Sequence, residues 1–334
     1  MDGPDPKDHG MTDIAALAAS LATNPNVTGK RDIDVACAAL GLTQDSFGRP
    51  GDDAAAIADG DGWQLMATEG FMNDFVASAP WFAGWCAVMV NMSDILAMGG
   101  RPIAVTNALW APDAATAAEI LRGMKEASGA YGIPIVGGHT NLRTEQPQLA
   151  AAIWGRARAL ITSFDAGPGD VVIACADRRG GYAGKTSNFP AFLDAPHDRL
   201  RGDMEILPLL AESGLVTAGK DISQGGIAGT ALMLAECSGV GISIDPAKIT
   251  PPDGDLTRWM TAFPSFGFLL TATPANVDAV LSRFHARAIG AEVIGAVTAG
   301  SVLSLSDGVD AHPIWDHAAQ PYLGLPPVKE PAYA

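Results

Sequence analysis

Four short acidic segments hold the residue types that bind divalent cations. They are Gly51-Asp52-Asp53-Ala54, Ala67-Thr68-Glu69-Gly70, Asn91-Met92-Ser93-Asp94 and Lys220-Asp221-Ile222-Ser223-Gln224-Gly225-Gly226. Carboxylates are hard oxygen ligands suited to Mg2+ or Ca2+. In the first segment two acids follow a glycine and lead into an apolar run, although Gly-Asp-Asp is also an ordinary turn. In the second, Glu69 closes an apolar strand, where a carboxylate can reach a cleft, with Thr68 beside it. In the third, Asn91 and Asp94 lie three apart and share a helix face. Polar groups inside so apolar a stretch must be hydrogen-bonded or functional. In the fourth, Asp221 and Ser223 precede Gly225-Gly226, which opens a helix. A helix N-terminus beside acids can hold Mg2+–phosphate from both sides, and the same pattern also serves as a plain N-cap.

Two basic groups stand near such segments. Lys30, in Thr28-Gly29-Lys30, reads either as a mobile phosphate-binding lysine or as a solvated loop base. His139, in Gly137-Gly138-His139-Thr140, reads as a site histidine or as a packed one. Residues 179–186, RGGYAGKT, end like a nucleotide P-loop, but Arg179 stands where its first glycine must be and no helical pattern follows. That stretch reads as a flexible glycine loop contacting ligand, or else as a plain surface loop. No GxGxxG follows a strand, so a Rossmann site has no support.

These groups need a frame, and the chain is long enough for two domains: 334 residues, 48% hydrophobic and 17% charged. We read residues 1–47 as a tail and helical segment, 48–165 as one α/β domain and 166–334 as a second, with Gly167-Pro168-Gly169-Asp170 at the boundary. Thr12 or Asp13 caps a helix over Ile14–Leu21, and 24–32 is a polar segment before a short helix over 33–40. In the first domain, strands are expected at 54–59, 63–68, 103–110, 133–136 (running into GGHTN) and 149–159. Helices are expected at 81–98 and 113–131. Trp85, Val88, Met89, Met92 and Leu96 repeat at helical spacing through the first of these. In the second domain, strands are expected at 171–174, 240–245, 266–272 and 291–297, and helices at 203–214, 226–238 and 274–286. Residues 1–12 read as a frayed tail and 318–334 as a Pro-rich one.

The formal charge of −16 repels phosphate backbones and anionic lipid, so neither nucleic acid nor a membrane is an expected partner. A triphosphate can share this chain's acids only with cations between them. The four cysteines are far apart, without a CxxC, and the N-terminus reads as lacking an export signal. A cytoplasmic setting is expected.

Taken in order, GDDAAAI, ATEG, NMSDILAMGGRP, GGHTN, DISQGG and SFGFLL resemble the aminoimidazole-ribonucleotide-synthetase-like (PurM-like) ATP-binding superfamily, from about Lys30 to Asp307. That superfamily includes thiamine-monophosphate kinase, selenophosphate synthetase and formylglycinamidine synthetase. The resemblance implies an α/β (α+β) fold of two domains: a mixed N-terminal sheet with helices, then a second α/β domain. It also implies a homodimer through the N-terminal sheets and ATP across the domain cleft, wrapped in Mg2+. It makes Asp53, Glu69, Asp94 and Asp221 metal ligands. Thr68, Asn91, Gly137, Gly138, Ser223 and Gly225 fall at the nucleotide, and His139, Asp94 and Lys30 become candidate catalytic residues. The kinase has acids where His139 and Gln224 stand here. Selenophosphate synthetase has a histidine in the first motif, but its Gly-rich N-terminal loop with a reactive Cys is absent, and Cys37 reads as structural. The implied activity is ATP-dependent phosphoryl transfer or a synthetase reaction on a small metabolite. The alternative is a non-catalytic nucleotide-binding subunit.

Overall fold

The computed structural model describes residues 13–325 and builds them around two mixed sheets. The frayed tail at 1–12, with Thr12, and the last part of the Pro-rich tail, 326–334, lie outside the described residues. The chain opens with α1 (Ile14–Thr23), α2 (Pro25–Thr28), a 3-10 turn and α3 (Asp32–Leu40). Asp13 caps α1, its carboxylate accepting from the Ala16 N–H at 3.0 Å. The polar segment at 24–32 is thus helical, started by Asn24 as cap and Pro25 in the first turn.

The first sheet comprises β1 (Ala55–Asp59), β2 (Gly62–Phe71), β3 (Arg101–Trp110), β4 (Ile135–Asn141) and β5 (Gln148–Ala157). Their order is β1-β2-β5-β3-β4, with β3 and β4 parallel. Side chains alternate between its faces. Leu65, Ala67, Val105, Leu149, Ala151 and Ile153 are buried on the inner face, whereas Met66, Thr68, Thr106 and Trp154 are exposed on the outer one. The inner face is covered by α5 (Pro80–Ala97), which follows a short α4 (Asn73–Ser78) and packs in turn on α6 (Ala114–Tyr131). The two long helices touch backbone to backbone. A Cβ on Gly84 would lie 2.0 Å from the Ile120 carbonyl oxygen, and one on Gly123 2.0 Å from that of Trp81. This close approach buries α5 on every side from Ala83 to Ala97, so Asn91, Ser93 and Asp94 are carried into the interior.

The second sheet takes β6 (Val171–Ala176), β8 (Ala218–Asp221), β9 (Gly241–Ile244), β11 (Gly267–Ala272), β12 (Gly290–Thr298), β13 (Val302–Ser306) and β14 (Ala311–Asp316) in the order β14-β13-β9-β12-β6-β11-β8. A two-residue pair, β7 (Asn188–Phe189) and β10 (Phe263–Pro264), stands apart. Its helices are α7 (His197–Asp203), α8 (Ile206–Glu212), α9 (Gly226–Ser238), α10 (Leu256–Met260) and α11 (Val277–His285).

The structure corrects the expected elements in several places. The helix expected at 203–214 is the shorter α8, which starts only at Ile206 because the ring of Pro208 would clash with the carbonyl of residue 204 if the helix began earlier, and a separate helix, α7, precedes it. The helix expected from 274 starts at Val277, after a 3-10 turn that begins with Pro274. GGHTN belongs to β4 itself rather than following it. The strand β8 and the β13–β14 hairpin were not expected; Val302–Ser306 alternates, and Asp307-Gly308 is turn chemistry.

The opening helices pack on the second sheet's core, not the first. Leu17, Ala18, Leu21, Val27 and Cys37 join that core, and the Tyr322 hydroxyl donates to the Val27 carbonyl. Between the sheets, Trp85 of α5 stacks on Phe192 with ring centroids 4.5 Å apart and planes at 12°.

Candidate metal and phosphate site

Three of the four expected acids meet where the loop before β1, helix α5 and the end of β8 come together. Asp53 comes from the loop before β1, Asp94 from buried α5 and Asp221 from the last residue of β8. One carboxylate oxygen from each lies within 4.8 Å of the other two. Each ionised pair at that separation repels by about 3–4 kcal/mol at an effective dielectric of about 20, so something must hold them there. Part of it is Lys220, the residue before Asp221. Its ammonium lies 2.6 Å from Asp53 Oδ1. The other Asp53 oxygen accepts the Asp221 backbone N–H at 3.1 Å. Next to it, Asp52 Oδ1 accepts from the Ser163 N–H at 2.8 Å and Oγ at 2.6 Å.

Burial pushes these acids toward their protonated forms. Asp94 is held well above the usual carboxylate range by burial first, then by Asp221, Glu69 and Asp53. Asp221 is pushed up to about 8 by burial and by Asp53, against the pull of Lys30 and Lys220. Asp52 is pushed up to about 7, mainly by burial. Burial alone would pull the Lys220 ammonium down, but Asp53, Cys237 and Asp52 push it up and the net shift is upward. Glu69 is raised by burial, opposed by Lys30 and reinforced by Asp53, which places its charge beside the other acids.

A stability profile follows. An aspartate in the unfolded chain loses its proton near pH 4, whereas Asp221 in the metal-free fold keeps it to about pH 8. Between those values the folded chain binds the extra proton. Stability therefore falls as pH rises through this window, by up to about 1.4 kcal/mol per pH unit for a full proton. Asp52 adds the same sign up to about pH 7. Melting curves in chelator are expected to be lower at about pH 8 than at about pH 5.5, with Mg2+ recovering more at the higher pH. A flat profile would contradict this electrostatic account.

Lys30 reaches the same place from the opening helices. Its ammonium donates to Ser223 Oγ at 3.0 Å, 193 residues away in sequence. Gly225 and Gly226 follow with φ of +105° and +63°, left-handed values that favour glycine. A Cβ on Gly226 would also lie 2.4 Å from the Met260 carbonyl oxygen. These two residues turn the chain sharply from β8 into α9, which leaves Asp221 and Ser223 at the helix entrance. Gln224 is exposed, its amide 3.4 Å from Asn26 Oδ1.

Asn91 is fully buried one turn before Asp94. Its amide nitrogen donates to the Ala87 carbonyl, and its side-chain oxygen has no hydrogen-bond partner. Glu69 lies in one cross-strand row with Ala151, Asn107 and Gly138. The structure does not bring the remaining expected residues to the acids. Thr68 is next to Glu69 and so points to the outer face. Gly137 and His139 flank Gly138 and fall on that outer face too, where the exposed His139 ring leans on Trp110 at 5.9 Å.

Two residues at the site went unread in the sequence. Lys220 opens the fourth acidic segment but carries no role in the sequence reading, although a lysine next to an acid at the end of an apolar stretch is a usable signal. Asn107, whose amide nitrogen is buried without a partner, has no motif around it.

The acids fit a divalent cation. Asp221 Oδ2 is buried with no hydrogen-bond partner, and it belongs to a cluster of three converging hard oxygen donors. The Mg2+ that the resemblance implies would be held by Asp53, Asp94 and Asp221, with Glu69 alongside.

Family models match most of the chain: the AIR synthase related protein N-terminal domain over residues 51–157, and the C-terminal domain of the same family over 167–308. The chain belongs to the AIR synthase related family. This AIR synthase related protein is 45% identical over 283 residues to the uncharacterized protein sll0787 of Synechocystis, covering 83% of this chain and 87% of that protein. It is 27% identical over 283 residues to thiamine-monophosphate kinase of Synechococcus elongatus, covering 76% of this chain and 85% of the kinase. Among solved structures, T. maritima PurL complexed with ATP matches with a TM-score of 0.67 at 18% identity, over 83% of this chain and 47% of PurL. The AIR synthase related chain thus spans about half of PurL and shares its two-domain, PurM-like fold. Among its described residues, no helix is long and apolar enough to cross a membrane.

Proposed function

We propose that this AIR synthase related protein is an ATP- and Mg2+-dependent enzyme that transfers the γ-phosphoryl group of ATP to an oxygen of a small metabolite. The phosphate either stays on the product or activates a carbonyl or amide for a synthetase step. The observation that carries this reading is the convergence of Asp53, Asp94 and Asp221 from three separate elements, against Lys220 and Lys30. Bound Mg2+ supplies charge neutralisation and alignment of the phosphates, the main work of phosphoryl transfer. The acids would hold that charge beside the buried helix α5. Lys30, carried on a different segment from the acids, is placed to meet phosphate oxygens beside Ser223. The relatives support this direction: a thiamine-monophosphate kinase in sequence, and a PurL that binds ATP in fold. The four cysteines, all free and buried, suit a reducing cytoplasm.

A second reading, a nucleotide-binding subunit without turnover, is favoured by the position of His139 on the face away from the acids. ATP hydrolysis or transfer measured across a panel of small metabolites separates the two. Substrate-dependent turnover supports the enzyme, and its absence together with tight nucleotide binding supports the subunit. Accumulation of a phosphorylated product separates a kinase from a synthetase.

The same reading includes a homodimer. The outer face of the first sheet bears Ile57, Met66, Trp154 and a run of alanines, with Met66 57% and Trp154 45% exposed. An apolar sheet face of this size calls for a cover, and a second copy supplies one that is self-complementary by symmetry. Light scattering at micromolar concentration is expected to give twice the chain mass; a monomer there would count against it.

A further inference from the structure

Lys220 is 3% exposed and lies between the loop before β1 and the end of β8. Its ammonium has three N–H donors and three acceptors around it: Asp53 Oδ1 at 2.6 Å, the Gly51 carbonyl at 3.1 Å and Ser163 Oγ at 3.4 Å. No donor is left over to reach a ligand. Unlike Lys30, it is therefore not placed to bind phosphate. What it supplies is a positive charge sealed against one member of a trio of carboxylates whose oxygens lie within 4.8 Å. A buried carboxylate demands a cation beside it, and at Asp53 the chain provides its own.

We propose that Lys220 is a built-in cation of the acid cluster. It occupies, beside Asp53, a place that a divalent ion would otherwise take, and so limits how many ions the nucleotide-free site binds. Asp94, Asp221 and Glu69, together with the Asp53 oxygen that Lys220 does not touch, are left for the exchangeable metal. This deepens the metal reading above and rests on it.

Binding of Mn2+ without nucleotide, followed by the spectroscopic signal of the free ion, tests the proposal alongside melting curves. Lys220→Met is expected to bind one more Mn2+ per chain than the wild type, and to gain at least about twice as much melting temperature from it. Lys220→Arg keeps the charge and is expected to keep the wild-type count. The double variant Asp53→Asn with Lys220→Met removes acid and base together, and is expected to return to the wild-type count.

An unchanged count in Lys220→Met, with a loss of stability that Mn2+ does not restore, would make Lys220 a mechanical tie and overturn the proposal. A Lys220→Met chain that stays unfolded even in Mn2+ would overturn it too, because an ion able to stand in for the ammonium restores the fold. So would an extra ion in the double variant, since Asp53 would then not be what draws it. A wild type that binds no Mn2+ is a different failure: it removes the metal reading itself.

Discussion

Asp94→Asn is expected to leave the metal-free protein as stable as the wild type, or more so, while Mg2+–ATP binding weakens at least tenfold, about 1.4 kcal/mol. Asp94 is 5% exposed on a helix buried all round, and among the described residues its carboxylate accepts no hydrogen bond. Burial and the neighbouring acids push it toward its protonated form in the absence of metal. A neutral amide of the same shape therefore removes a carboxylate whose charge the cluster disfavours, with little to lose. Metal binding differs, because the ion draws its affinity from the ionised carboxylate, which must shed its proton to bind. If Asp94 were a structural cap, the pattern would reverse. The metal-free variant would lose about 1–3 kcal/mol and nucleotide affinity would hardly change. Melting curves of both proteins, with and without Mg2+–ATP, distinguish the outcomes. A destabilised variant with an undiminished nucleotide shift would refute the ligand assignment.

ATP is expected to stabilise the wild type only when Mg2+ is present. At about 100 times its dissociation constant, a ligand that binds the native state adds about 2.7 kcal/mol. For a chain of this size that is a melting shift of several degrees. The dependence on Mg2+ follows from charge. A triphosphate entering a cluster of Asp53, Asp94, Asp221 and Glu69 meets Lys30 as the ammonium with a donor to offer, since those of Lys220 are spent. In chelator the acids hold no ion to bridge to the phosphates, and one lysine alone holds a triphosphate weakly. ATP in chelator should therefore give little shift, and equal shifts with and without chelator would sink the metal bridge.

What could be read from the residues, and what could not, divides along a physical line. Asp53, Asp94 and Asp221 were legible through the order and spacing of the motifs that carry the resemblance, and Asp94 also because polar groups inside so apolar a helix are costly. The long helix was legible because its apolar positions recur at helical spacing. Its burial on every side was not, since that depends on Gly84 and Gly123 letting two backbones touch. Thr68 and His139 were carried by proximity to motif residues. In a strand, a neighbour in sequence points to the opposite face, so each being one position from Glu69 or Gly138 set it apart from the site. Lys220 was hidden by the four-residue β8, buried along its whole length and too short to announce itself. The helix expected at 203–214 is present but begins at Ile206, a start set by Pro208 in its first turn.

The opening helices have a consequence in time. Val27 and Tyr322 bond to each other across 295 residues, and Lys30 meets Ser223 across 193. On a ribosome adding about 5–20 residues per second, the first segment waits roughly 15–60 s for the bed it will lie on. During that interval the apolar stripe of Leu17, Leu21 and Val27 has no native surface to cover it, while the first sheet, complete by residue 157, can already close around α5. Lys30 is thus seated beside Ser223 only once the second sheet exists, although its own segment is synthesised well before it. Nascent chains of intermediate length would carry a formed first sheet and an idle, sticky leader, a natural client for a chaperone until the second sheet arrives.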